Sequence, residues 1–214
     1  TMEFPHLEKL MCLNQFDTIY HEHFSYLSLL TVCKIFEAHS MKIYDVEELD
    51  THGGSLRIYA TPENNKNYTI SEKVKEVLTR ERKFGLEEIE SYEVFERKIE
   101  KIKRDSWKLL ISLKEDGSKI AAFGAAAKGN TFLNYCGIGK DIIDFVADSS
   151  TAKQGLYLPG TRIPIVSPEM IQVKKPNYII ILPWNLKLEL MEVLEYTRKW
   201  GCKLITFIPE VKVF

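Results

Sequence analysis

The residues best able to do chemistry lie in one run, Phe16-Asp17-Thr18-Ile19-Tyr20-His21-Glu22-His23-Phe24-Ser25-Tyr26, which sets two imidazoles, a carboxylate between them and two phenols among apolar side chains. An imidazole titrates near neutrality, and a neighbouring carboxylate can orient one ring nitrogen while the other accepts a proton. The run therefore reads as an acid/base site. Two plainer readings compete with it. His-Glu-His could be a pair of metal ligands, although it is not the HExxH spacing that brings two imidazoles to one face of a helix. Either histidine could also be a buried ring satisfied by backbone groups. In an extended segment His21 and His23 would share one face while Tyr20 and Glu22 took the other. At most one histidine then serves as the base, and the spacing does not choose between them.

A second group of candidates follows from the alternation of strands and helices after residue 116. Lys119 to Gly124, Ile142 to Asp148, Tyr178 to Pro183 and Lys203 to Ile208 read as strands, with helical periodicity from Thr131 and from Leu186 to Trp200. This order implies a Rossmann-like parallel sheet with right-handed crossovers. The Arg162–Pro168 stretch reads as an edge excursion, because proline cannot donate within a central ladder. Ligands of such sheets sit beyond the carboxyl ends of the strands. That rule selects four loops, Gly124-Ala125-Ala126-Ala127-Lys128-Gly129-Asn130, Asp148 to Gly155, Pro183-Trp184-Asn185 and Pro209-Glu210, and the first of them is joined on the same edge by Lys153-Gln154-Gly155 and Trp184-Asn185. Small residues, helix N-terminal amides and an ammonium suit a phosphate, and an indole could stack on a base. The candidates are Lys128, Gly129, Asn130, Lys153, Trp184 and Asn185. The loop is neither a Walker A sequence nor GxGxxG. A tight strand-to-helix turn with a solvated lysine, under an ordinary tryptophan lid, is the competing view.

Upstream, a short helix from Leu7 to Leu13 precedes the histidine run, and Ser28 can cap a helix reaching about Ser40. Met41–Val46 and Ser55–Ala60 alternate as strands around Thr51-His52-Gly53-Gly54. This helix, strand, strand series reads as the trailing half of an α/β sheet, its leading strands absent; Thr1 to Pro5 reads as a short cloning scar. Pro62-Glu63-Asn64-Asn65-Lys66-Asn67 is a polar boundary, and Thr69-Ile70-Ser71-Glu72 has the form of a capping box. A helix then runs to Phe84. In a longer one, Tyr92, Phe95, Ile99, Ile102, Ser106, Leu109 and Leu113 make a heptad-like seam, which packs on the preceding helix or on a second copy of the chain. The expected divisions are 1–62, a helical connector at 63–115, and 116–214.

Composition narrows the classes further. Twenty-nine basic and thirty acidic residues in 214 leave a net charge of −1, so nothing calls for nucleic acid or a membrane surface. Cys12, Cys33, Cys136 and Cys202 form no CxxC pair, which fits reduced thiols and a cytoplasmic location. No apolar run is long enough to span a bilayer.

Taken in order, Gln15 to Tyr26, then Thr51 to Arg57, then Gly124 to Asn130 followed by Asn134-Tyr135, resemble the sugar C-methyltransferases. Those enzymes use S-adenosylmethionine to methylate nucleotide-linked keto-deoxysugars. The resemblance implies an N-terminal zinc-binding part, a central class I S-adenosylmethionine-dependent methyltransferase domain and a Rossmann-like C-terminal domain, of which this chain matches the trailing half of the second, a long helical pair, and all of the third. The family's Tyr-x-Glu-His arrangement falls on Tyr20, Glu22 and His23. On that basis His23 takes the proton from the carbon beside the sugar ketone, Glu22 tunes it, Tyr20 lies within the site, and the enolate attacks the methyl sulfonium. No zinc-ligand cysteines and no D-x-G-x-G loop precede Phe4, so most cofactor contacts and any zinc are expected outside this chain, which alone should not methylate. The alternative is a non-catalytic, Rossmann-like nucleotide-binding module.

Overall fold

The computed structural model describes residues 1–214 apart from the side chain of His52, which puts that member of the Thr51–Gly54 turn outside the described residues. The chain divides into two compact units, Thr1–Gln15 with His23–Lys98, and Phe16–Glu22 with Ile99–Phe214.

The first unit is built on an antiparallel sheet. Strand β1 (Met2–Pro5) is followed by α1 (Leu7–Cys12), α2 (Leu29–Ala38), β2 (Met41–Leu49), β3 (Ser55–Pro62) and α3 (Glu72–Phe84). The strand order is β1-β3-β2. The opening residues, expected as a scar, form a strand in which Phe4 is buried and Glu3 lies opposite Arg57. Glu47 on β2 also faces Arg57, which bonds both carboxylates. The arginine is therefore the centre of a cross-strand ion-pair ladder. Leu56 and Ile58 alternate inward on β3 and pack with Leu29, Val32, Val74 and Val77. That cluster packs α3, which lies in the stretch expected as a helical connector, onto the sheet.

Two helix starts differ in how they are capped. Ser28 accepts from the amide of Thr31, the expected N-cap of α2. The capping box at Thr69 does not form. The N-cap of α3 is Ser71, whose hydroxyl instead donates to Asp45 on β2. Gly85, at φ +90, ends the helix in the left-handed region that glycine reaches without strain.

Helix α4 (Ile89–Glu115) runs through the division between the units. In its second half Ile99, Ile102, Ser106, Leu110 and Leu113 are buried. The seam thus uses Leu110 where the spacing favoured Leu109, as 3.6 residues per turn shifts the stripe from a strict heptad.

The second unit carries β4 (Ile120–Phe123), α5 (Ala127–Cys136), β5 (Val146–Ala147), β6 (Ile165–Val166), α6 (Glu169–Lys174), β7 (Tyr178–Ile181), α7 (Lys187–Val193), β8 (Lys203–Thr206) and β9 (Lys212–Val213). Their order is β6-β5-β4-β7-β8-β9, parallel except for β9. The run from Ile142 shortens to a two-residue strand because the amides of Ile142 and Ile143 bond the carbonyl of Gly139. The region expected as one helix from Leu186 divides into 3-10 turns flanking α7. No helix is long and apolar enough to cross a membrane among the described residues.

Candidate functional site

The sheet order reverses between β4 and β7, since β5 and β6 lie on one side of β4 and β7 and β8 on the other. Such a switch point, beyond the carboxyl ends of the strands, is where an open α/β sheet places its ligand. The loops here are Gly124–Ala126, leading into α5, and Pro183–Asn185, leading into α7. They approach so closely that a Cβ on Gly124, which has φ +90, would sit 2.6 Å from Pro183 Cδ. Gly129 is equally constrained, because a Cβ there would meet Leu182 Cβ at 2.5 Å. Its lack of a side chain lets the first turn of α5 rest on the end of β7.

Lys128, Trp184 and Asn185 come together at this switch point. The Lys128 ammonium stands 4.8 Å from the Trp184 ring centroid and donates to Asn185 Oδ1 at 3.3 Å. Burial lowers the lysine's affinity for its proton, an effect opposed by Asp17. Trp184 thus cradles a cation where the sequence suggested stacking on a base. The N-cap of α5, Ala126, offers no side-chain acceptor to the first-turn amides. A helix start of this kind, beside an ammonium, favours an anion.

Lys153 has a different position. It donates to the carbonyl of Ala125 at 2.9 Å and lies 3.4 Å from Asp148 Oδ2. Asp148 in turn accepts from the amides of Ala125 and Ser150. These contacts brace the loop. Asn130 lies in the first turns of α5, its backbone carbonyl accepting from Asn134 Nδ2 at 2.8 Å.

The histidine run is not a strand, so the alternating-face argument does not apply. Phe16–Thr18 is a 3-10 turn packed on α5, with Phe16 against the rings of Phe132 and Tyr135. Tyr20 is half-buried at a bend, and His21 and Glu22 lie exposed in a turn. Tyr20, His21 and Glu22 belong to the second unit, while half-buried His23 begins the return to the first. Among the described residues, no group of three or more His, Cys, Asp or Glu side chains could hold a metal ion.

Sequence reasoning gives no role to Asp17 or Asp148, although both lie in stretches it singles out. Asp17 is only 1% exposed, and it accepts from Trp184 Nε1 at 2.7 Å. Burial raises its carboxyl from 3.8 to about 6, against the opposing pull of the indole N–H and of Lys128. A carboxylate inside an apolar run is its available signal. Asp148 has a clearer one, an acid at the end of the second parallel strand some way after a glycine turn. The cysteines stay outside this chemistry. Cys12 is exposed, whereas burial pushes the thiols of Cys33, Cys136 and Cys202 up to about 11, 12 and 11.

The model of the C-methyltransferase C-terminal domain matches residues 50–209. The chain is also 38% identical over 212 residues to C-methyltransferase NovU of Streptomyces niveus, an alignment covering 99% of this chain and 50% of that protein. It therefore spans about half the length of the curated relative it matches. By the match to the family model, this chain belongs to the C-methyltransferase C-terminal domain family.

Proposed function

We propose that this chain supplies the substrate grip and the proton acceptor for S-adenosylmethionine-dependent C-methylation of a nucleotide-linked keto-deoxysugar in the cytoplasm. The observation that carries the reading is the Lys128 ammonium held on Trp184 and Asn185 at the sheet's switch point, in a member of this family. Lys128 and the first-turn amides of α5, with Gly129 and Asn130, take the diphosphate. Trp184 and Asn185 aim the ammonium, and Lys153 steadies the loop beside Asp148. In this reading residues 1–62 end the cofactor-binding domain, 63–115 connect, and 116–214 bind the nucleotide.

His23 is the base that removes the proton beside the ketone, Glu22 tunes it, and Tyr20 lies against the sugar. A proton on carbon beside a carbonyl is weakly acidic, so the base needs a pKa near the working pH, the range of an imidazole. The methyl donor itself does not fit the residues of this chain. The strand-to-helix turn of the first unit, Pro5-His6-Leu7, contains no glycine and leads into a helix of only six residues. The donor, and likewise any zinc, belongs in this reading to other parts of the protein.

A full-length protein carrying His23→Ala tests the assignment. It should bind the sugar nucleotide as before, yet lose both methyl transfer and exchange of the substrate's acidic proton with deuterated water. Undiminished exchange would remove His23 from the role of base.

A further inference from the structure

The group in the second unit that remains unaccounted for is Asp17. Its side chain is almost wholly buried, one oxygen is fixed on the Trp184 indole, and among the described residues Oδ1 has no hydrogen-bond partner. An interior carboxylate normally has all its lone pairs satisfied or is exchanged for an apolar residue, because unpaired polar atoms cost stability. Its surroundings give no structural reason for a charge. Phe132, Ile181, Leu182, Phe207 and Ile208 line the small space it shares with Trp184. The charged group that opposes it is Lys128 on α5.

The arrangement forms a relay. Asp17 holds the edge of the indole, the indole face holds the Lys128 ammonium, and Asn185 Oδ1 accepts a hydrogen bond from that ammonium. We propose that Asp17 is a positioning residue for nucleotide binding: by anchoring Trp184 Nε1, its ionised carboxylate sets the ring that aims Lys128 at a diphosphate. The inference rests on the reading of the Lys128 switch point as the nucleotide site and adds to it a residue that touches no ligand. A charged acceptor fixes an N–H more firmly than a neutral one, so the grip is firm with Asp17 ionised and slackens when it is protonated. Affinity therefore falls as pH drops through about 6.

Two measurements on the whole chain test this. The first follows the three indole N–H resonances in nitrogen-15 spectra between pH 4.5 and 8. Trp184 should titrate with a midpoint near 6, while Trp107 and Trp200, which donate to the backbone carbonyls of Cys136 and Pro176, stay flat and report that the fold is intact. A flat Trp184 overturns the proposal. The second is calorimetric titration with uridine diphosphate, comparing wild type, Asp17→Asn, Lys128→Ala and the double variant, so that the ligand's own ionisation is common to all four. Asp17→Asn should weaken binding about tenfold at pH 7.5 and by less at pH 5, and should add nothing once Lys128 is gone. Wild-type binding that Asp17→Asn leaves unchanged at both pH values overturns the positioning role while sparing the site. If wild type does not bind, the reading of the site itself fails, and the proposal falls with it, even when Trp184 titrates as expected.

Discussion

Two buried carboxylates, one in each unit, are held in opposite ways. Glu81 on α3 is 0% exposed and accepts from the amides of Leu29 and Leu30 at 2.7 and 2.8 Å and from His6 Nε2 at 2.8 Å. It therefore satisfies the orphan donors at the start of α2 and fastens three segments of the first unit together. Asp17, almost as buried, accepts from one indole and, among the described residues, leaves Oδ1 unpartnered. A side chain selected for stability collects partners as Glu81 does. One kept despite poor solvation marks a place where stability has been exchanged for function.

The largest test of that contrast is Glu81→Ala. It strips the acceptor from two helix amides and leaves the interior imidazole of His6 with only Glu8, at 3.7 Å, near its Nε2. Breaking a buried network of this kind costs about 3–5 kcal/mol, measurable by urea unfolding. Asp17→Asn should act in the other direction. A carboxyl raised from 3.8 to about 6 stabilises the folded state below the lower value, and that contribution is lost as pH rises through the higher one. The neutral amide removes the burden, so the variant should gain roughly 2–3 kcal/mol over wild type at pH 8 and almost nothing at pH 4. A loss at pH 8 would make Asp17 a second Glu81 and erase the distinction. The smallest effect concerns the same edge without charge. Gly129→Ala drives a methyl into Leu182 Cβ at 2.5 Å, and overpacking there should cost about 1–3 kcal/mol in thermal unfolding.

The same contrast explains what is legible in the sequence. β4, β7 and β8 show as short continuous apolar runs, since parallel strands are covered on both faces. The run from Ile142 misleads, because Ile142 and Ile143 are buried in a turn that satisfies their amides locally, and apolarity alone does not distinguish the two. β1 is a four-residue edge strand containing Pro5, too short to show a period. The capping box does not form because the helix starts later, at Ser71, whose amide donates to the Tyr44 carbonyl and whose hydroxyl donates to Asp45, tertiary partners that local spacing does not reveal. At the switch point, Lys128, Trp184 and Asn185 follow from the rule for strand ends. Asp17 does not, since its meaning depends on an indole 167 residues further along the chain.

The Lys128 site either grips a nucleotide or it does not, and calorimetric titration of uridine and thymidine diphosphates into the chain at pH 7.5 measures this directly. Saturable binding that Lys128→Ala weakens about tenfold or more is the expected result. An absence of binding by wild type, or equal affinity in the variant, would contradict it.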